Sequence, residues 1–241
     1  MKITVIGSSH GVPEANRKCA CFLIEVGKNV YFVDMGTSGI DALRKRGLEV
    51  EAVKGIFITH MHGDHTNGLI PFVDLITWYF KDADPDIYLP SPEAADTIKA
   101  WLDVTLNGAE MKTRFHQVNP GVIFDDGVLK VTSIPTQHCY KSGAYLVEAE
   151  GKAVLFTGDL KNPGIDFPAA AMEKPLDLVI CESAHFPATD YLPVFEKCDI
   201  KKVCVTHYSN RFLASVLQLA QELKEKNLET VIATDDLQLN L

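Results

Sequence analysis

The most informative stretch of this sequence is Thr59-His60-Met61-His62-Gly63-Asp64-His65-Thr66-Asn67-Gly68. Three of its histidines and its aspartate follow the order His-x-His-x-Asp-His, directly after the apolar run at 55–58. That run predicts the end of a buried strand at 53–59, and the apolar period of residues 66–80 predicts a helix after it. Imidazole and carboxylate groups at such a turn are typical ligands of zinc or a similar divalent ion. A surface loop that is rich in histidine by chance is the alternative, and it fits this spacing poorly.

Composition limits the classes of protein to which the chain can belong. The 241 residues are 46% apolar and 23% charged, and 23 Lys+Arg against 32 Asp+Glu give a net charge of −9. This is typical of a soluble globular protein and excludes disorder. The excess of acid argues against a nucleic-acid scaffold held by bulk charge. Residues 68–80 are the longest apolar stretch and fall short of the roughly 20 residues of a membrane span. The amino terminus lacks a secretory pattern, so we expect a cytoplasmic protein without membrane contact.

The six cysteines do not predict a disulfide framework, because such frameworks belong to short secreted chains without a core. Cys181 and Cys204 lie in apolar, strand-like runs, so we expect them to be buried thiols. Cys19 and Cys21 lack a second cysteine pair at ligand spacing nearby. The sequence therefore does not predict a separate structural zinc site.

Residues 1–241 are predicted to form one domain in which strands and helices alternate, since no linker or long charge run divides them. Helices are predicted at 37–46, 66–80, 91–105 and 211–226. Strands are predicted at 2–6, 21–26, 29–34, 53–59, 86–89, 112–118, 127–134, 143–149, 152–157, 176–181, 201–206 and 230–233.

The two halves of the sequence repeat the same strand endings. One strand in each half ends in aspartate, at Asp34 and Asp159, and one strand in each half ends in Thr-His, at His60 and His207. If two similar halves pack face to face, the four residues meet at one edge, where α/β folds usually bind ligands. When this echo of strand endings is considered alone, a chance repetition is the alternative.

The motif, the echo and one further histidine together resemble the metallo-β-lactamase superfamily. The residues that carry the resemblance follow the family's order along nearly the whole chain: Asp34, His60, His62, Asp64, His65, His138, Asp159 and His207. The resemblance implies a four-layer αββα sandwich with two divalent metal ions at one edge. The metals it implies are zinc first, with manganese or iron as alternatives.

The same resemblance assigns these residues to roles at the two metal ions. The first ion would be held by His60, His62 and His138. The second would be held by Asp64, His65 and His207. Asp159 would bridge the two ions, and Asp34 would steady the motif loop, because outer partners fix the orientation of metal ligands.

Within the superfamily, the opening Gly7-Ser-Ser-His-Gly-Val-Pro13 resembles the ribonuclease Z and phosphodiesterase branch. Ribonuclease Z enzymes with a tRNA-clamping arm insert it between the equivalents of His138 and Asp159, which only 21 positions separate here. Their His-Ser-Thr segment is also not evident. Together with the net charge of −9, this disfavours tRNA as a partner and favours a small-molecule phosphoester substrate.

The mechanism that the resemblance implies uses a hydroxide shared by the two ions as the nucleophile. Asp64 and Asp159 would orient this hydroxide, and His185 would donate a proton to the leaving group. A surface role for His185 is the alternative. Glu182 and His10 are further candidates near the site, whereas Cys139 is not expected to act as a nucleophile.

Three classes of function remain open. Hydrolysis of a small phosphodiester leads. Hydrolysis of a lactone, thioester or β-lactam is the second, because a fold does not fix the substrate. A non-hydrolytic metal or redox protein ranks last, since the ligand set is rich in histidine. The oligomeric state, including a homodimer, stays open.

Overall fold

A computed structural model describes residues 1–105 and 112–241. Its strands are β1 Lys2–Gly7, β2 Cys21–Val26, β3 Asn29–Met35, β4 Val53–Phe57, β5 Asp86–Leu89, β6 Arg114–Gln117, β7 Gly121–Asp125, β8 Lys130–Pro135, β9 Gly143–Ala149, β10 Lys152–Phe156, β11 Leu178–Ser183, β12 Lys202–Tyr208, β13 Glu229–Ile232 and β14 Leu237–Asn240. Its α-helices are α1 Gly39–Lys45, α2 Gly63–Thr66, α3 Leu69–Trp78, α4 Pro92–Thr105, α5 Pro163–Asp166, α6 Leu192–Phe195 and α7 Leu213–Glu225. Short 3₁₀ helices cover Val50–Ala52, Ala169–Met172, Ala188–Tyr191 and Asn210–Phe212.

The strands form two mixed sheets of seven strands each. The first has the order β14-β1-β2-β3-β4-β5-β6, and the second has the order β13-β12-β11-β10-β9-β8-β7. Strands β3 to β6 run parallel in the first sheet, and β10 to β13 run parallel in the second. Neighbouring parallel strands end at the same edge of a sheet. The residues that directly follow the parallel strands of each sheet therefore lie together along one edge.

Hydrophobic side chains fill three layers of core. Between the sheets, aromatic rings from both sides meet edge to face, with 5.5 Å between the ring centroids of Phe22 and Phe156. Outside the first sheet, α3 and α4 bury Phe72 and Ile98, and outside the second, α7 buries Val216. Two sheets between two helical layers are the predicted αββα sandwich, and this prediction is confirmed.

The predicted helix at 66–80 is wrong in one respect, because the chain forms α2 and α3 with a break at residues 67–68. Gly68 donates its N–H to the carbonyl of Met35. A Cβ on Gly68 would lie 2.0 Å from the carbonyl oxygen of Thr37, so only glycine allows this close approach. The break leaves Asp64 and His65 on the short helix α2, which begins directly after His62.

Strands β7 and β14 were not predicted. β7 is a half-exposed edge strand, and β14 pairs with β1 from the other end of the chain. Cys181 and Cys204 are buried within their strands, as expected. Within residues 1–105 and 112–241, none of the helices has the length and apolar character that a membrane crossing needs.

Candidate metal centre

The strand ends bring the echoing residues to one edge of the sandwich. Asp34 lies at the end of β3, His60 follows β4, Asp159 follows β10 and His207 lies near the end of β12. Asp34 and His207 adopt left-handed backbone conformations with φ of 55° and 45°. Such conformations cost about 1–3 kcal/mol in residues other than glycine and cluster at functional sites. Two of the four residues at this edge, Asp34 and His207, therefore carry backbone strain.

Three imidazoles form the first group of donor atoms. Nε2 of His60 lies 2.9 Å from Nδ1 of His62, and Nε2 of His138 lies 3.3 Å from the same atom. One proton can satisfy only one such pair of nitrogens at a time. Three converging ring nitrogens are instead a suitable set of donors for a divalent cation.

A second group lies beside the first. Nε2 of His65 lies 3.4 Å from Oδ2 of Asp64, and Nε2 of His207 lies 3.6 Å from the same oxygen. His65 and Asp64 come from α2, whereas His207 comes from β12 of the second sheet. The group therefore joins the two sheets, as the first group does through His138.

Asp159 lies between the two groups and is only 3% exposed. Its Oδ2 lies 3.7 Å from Nε2 of His60 and 3.6 Å from Nε2 of His138 in the first group. It also lies 3.4 Å from Nε2 of His207 in the second group, and Oδ1 lies 3.4 Å from Nε2 of His65. One carboxylate thus faces both groups at similar distances, as a bridging ligand would.

Two buried atoms of the centre show that the residues fit a metal. Nε2 of His65 and Oδ1 of Asp159 have no hydrogen-bond partner within the described parts of the chain. A buried polar atom left unsatisfied costs about 1–3 kcal/mol. Both atoms point into the cluster, where a cation would satisfy them.

Hydrogen bonds behind the cluster orient its residues. Oδ2 of Asp34 lies 2.7 Å from Nδ1 of His65, which turns Nε2 of that ring toward the second group. Thr59 donates its N–H to Oδ1 of Asp34 at 2.8 Å, and its hydroxyl lies 2.9 Å from Oδ2. A role for Thr59 was not predicted, although its position between a buried strand and His60 is a signal for one.

The electrostatic field of the cluster shifts the pKa of its members in opposite directions. Burial lowers the pKa of His60 to about 2, so its ring is neutral and free to donate a lone pair. Burial would raise the pKa of Asp64, but His65 and His207 outweigh it and lower the pKa to about 2. Burial would likewise lower the pKa of His65, yet Asp34 and Asp159 hold it well above its ordinary value.

His185 lies beside the cluster with a carboxylate behind it. Its Nδ1 lies 2.9 Å from both oxygens of the buried Glu182 and 3.8 Å from Oδ2 of Asp159. Burial alone would lower the pKa of His185, but Glu182 raises it above the ordinary value. The side chain of His185 is 38% exposed, so a ligand from solvent can reach it. Glu182 also accepts the N–H of Leu160, which joins this pair to the loop of Asp159.

The other candidate residues take different positions. His10 lies in a loop next to the second group, since a Cβ on the adjacent Gly11 would lie 3.4 Å from Oδ2 of Asp64. His116 lies 2.7 Å from Asp86 on the first sheet, so it is a residue of a strand face. Burial raises the pKa of the Cys139 thiol, which makes it a poor nucleophile at neutral pH.

Comparison with known proteins agrees with this geometry. The chain is 28% identical over 170 residues to a ribonuclease Z of Listeria innocua, a match that covers 69% of this chain and 55% of that protein. The metallo-β-lactamase fold protein YhfI from Bacillus subtilis superposes with a TM-score of 0.80 at 18% identity, over 99% of this chain and 98% of that one. The short form of human tRNase Z superposes with a TM-score of 0.79 at 20% identity, over 100% and 99%.

The fold and the paired groups of donors define a protein of the metallo-β-lactamase superfamily, as the sequence predicted. The chain belongs to the family described as "Anti-Pycsar protein Apyc1", whose model matches residues 1–187. His207 lies beyond the matched residues, and the chain spans about half the length of the ribonuclease Z proteins that it resembles.

Proposed function

We propose that this protein is a binuclear metal-dependent hydrolase of a small phosphodiester. The observation that carries the proposal is the pair of donor groups that share Asp159 at one edge of the sandwich. Two ions held about 3.5–4 Å apart are the usual arrangement in enzymes that hydrolyse phosphate esters.

In this proposal each group of donors holds one zinc ion. His60, His62 and His138 would hold the first ion, Asp64, His65 and His207 would hold the second, and Asp159 would contribute to both. Nitrogen and carboxylate donors suit zinc best, and manganese or iron can occupy similar sets. When bound, the two ions lower the pKa of a shared water to near 7 and neutralise charge on the phosphate oxygens.

The protein's own side chains then orient the reactants. Asp64 has one carboxylate oxygen toward His65 and His207, and its other oxygen accepts a hydrogen bond from the attacking water. His185 donates a proton to the oxygen of the leaving group, because Glu182 raises the pKa of His185 and so favours the protonated ring.

The proposal favours a small substrate over tRNA. The ribonuclease Z relatives are about twice as long as the part that matches this chain. Residues 138 and 159 are joined here by one loop, the β9–β10 hairpin and a second short loop. That stretch contains no arm that could clamp a tRNA, and the net charge of −9 opposes a polyanion.

We also propose that residues 1–241 act as one domain. The core between the sheets includes Ile3 from the first strand and Leu239 from the last. A chain whose two ends share one core is not expected to separate into independent units.

Metal analysis combined with a substrate panel tests the proposed function. Purified protein should hold close to two zinc or manganese ions per chain, and His62→Ala should lose much of this content. His116→Ala is the matched control, since that histidine lies on the strand face outside the cluster. The protein should hydrolyse bis(p-nitrophenyl) phosphate in a chelator-sensitive way and should leave precursor tRNA uncut. Absence of metal after incubation with excess zinc, or fast β-lactam turnover without diester hydrolysis, would overturn the proposal.

A further inference from the structure

Asp166 is a buried carboxylate outside the metal centre, and its side chain binds only backbone groups in the described parts of the chain. It is 8% exposed and closes the short helix α5. Its Oδ2 accepts the N–H of Gln137 at 2.7 Å and that of Lys161 at 3.0 Å, and its Oδ1 accepts the N–H of Asn162 at 3.1 Å. A carboxylate that accepts several N–H groups makes stronger bonds than a neutral acceptor does.

The N–H groups that Asp166 accepts belong to two loops that each carry a residue of the centre. Gln137 directly precedes His138 in the loop after β8. Lys161 is the second residue after Asp159 in the loop after β10. Strands β8 and β10 are not neighbours, because β9 lies between them. The sheet therefore does not hold these loops together. Asp166 joins them through their backbones, and the hydroxyl of Thr136 adds one side-chain bond at 3.3 Å to the carbonyl oxygen of Asp159.

We propose that Asp166 is a positioning residue that fixes the separation of His138 and Asp159, whose facing atoms lie 3.6 Å apart. This inference rests on the proposed binuclear centre. His138 and Asp159 both contact the first ion in that proposal. Asp64 and His65 lie on α2 and His207 on β12, so Asp159 is the loop residue that faces the second group. Asp166 therefore sets the affinity of the first site more than that of the second.

The test follows zinc binding in two steps by competition with a chromophoric chelator. His138→Ala identifies the step that belongs to the first site. Asp166→Asn keeps the side chain's volume but places an amide against the N–H groups, and Asp166→Ala removes the acceptor. Both should weaken that same step by roughly 10-fold, at the lower end of the usual effect of outer partners on metal affinity. The other step should change little, and the visible spectrum of the cobalt-substituted protein should shift.

Asp190→Asn is the matched control. Asp190 accepts the side-chain amide of Asn162 at 2.7 Å, so it lies in the same region but does not bind the backbone of either loop. It should leave both zinc steps and the cobalt spectrum unchanged, and Asp166→Glu should recover part of the affinity.

Other outcomes overturn the inference. Unchanged steps in both Asp166 variants would show that the loops keep their geometry without the carboxylate. Equal weakening of both steps, or metal-free variants that no longer unfold cooperatively, would make Asp166 a general structural residue. A wild-type protein that binds no zinc would overturn the binuclear centre itself, and the inference with it.

Discussion

The carboxylate of Asp34 lies 2.7 Å from Nδ1 of His65, and both side chains are buried. The bond fixes which ring nitrogen of His65 faces the metal centre. Asp34 is itself held by the backbone and hydroxyl of Thr59, the residue before the histidine motif. Asp34 thus connects β3 to the candidate metal centre through the ring of His65.

We expect Asp34→Asn to lower zinc affinity by about 10–100-fold, the usual effect of losing a carboxylate behind a ligating histidine. The side-chain amide in this variant can turn its NH₂ group toward Nδ1 of His65. An NH₂ group cannot accept the hydrogen bond that this nitrogen donates to the Asp34 carboxylate. Zinc titration against a competing chelator measures the change. Asp126→Asn is a suitable control, since that carboxylate accepts from Tyr31 and belongs to the turn between β7 and β8. Equal affinities for both variants would contradict the role given to Asp34.

The sandwich was predicted from the resemblance to a known superfamily. The strand endings alone predicted that four residues meet at one edge: Asp34, His60, Asp159 and His207. Strand ends are readable because buried strands are apolar, and parallel strands must end together, so Asp34 and His60 had to come close. Asp166 could not be predicted, because its partners are backbone N–H groups, which every residue except proline carries. The break at Gly68 depends on the carbonyl of Thr37, whose position follows only from the packed structure.

Removal of metal should destabilise the protein. Without a cation, the cluster contains buried carboxylates and imidazoles with unsatisfied atoms. Free zinc at 100 times its dissociation constant should add about 2.7 kcal/mol per site. For a chain of this length each kcal/mol corresponds to about 2–4 °C in Tm. Thermal unfolding with chelator and with zinc measures the difference, which should shrink in His62→Ala. Identical Tm values in both conditions would show that the cluster does not bind zinc.

Stability should depend on pH through Asp126. The Tyr31 hydroxyl lies 2.6 Å from its Oδ2 and joins the first sheet to the second. Burial would raise the pKa of Asp126, but Tyr31 and the N–H groups of Leu129 and Val128 lower it below its ordinary value. A lowered folded-state pKa means that the stabilisation is present above the unfolded value of about 3.9 and is lost as pH falls through the folded pKa.

Asp126→Asn should therefore lower Tm at pH 7 by about 2–4 °C, for a hydrogen bond worth roughly 1 kcal/mol. The difference from wild type should begin to narrow below about pH 4 and should be lost as pH falls through the lowered folded-state pKa of Asp126. Thermal unfolding at both pH values measures this, with Asp125→Asn as the neighbouring control. If the difference in Tm between Asp126→Asn and wild type stays constant with pH, the effect comes from the shape of the side chain and not from its charge.

The contribution of His185 should depend on the leaving group. Nδ1 of His185 is held by Glu182, so Nε2 remains to donate a proton to the substrate. A nitrophenolate leaves without a proton, whereas an alkoxide requires one. Proton donation by a side chain typically contributes about 10²–10⁴-fold. His185→Ala should slow an alkyl diester by on the order of 10² and a nitrophenyl diester much less.

Metal content separates this role from the alternatives. His185 lies outside both proposed sets of ligands, so His185→Ala should keep its zinc. His116→Ala, which changes a histidine on the strand face, should alter neither rate. Equal slowing of both diesters together with loss of zinc would make His185 a metal ligand, in keeping with its 3.8 Å approach to Asp159. Unchanged rates with zinc retained would place His185 among the surface histidines, and the proton would then have to come from water.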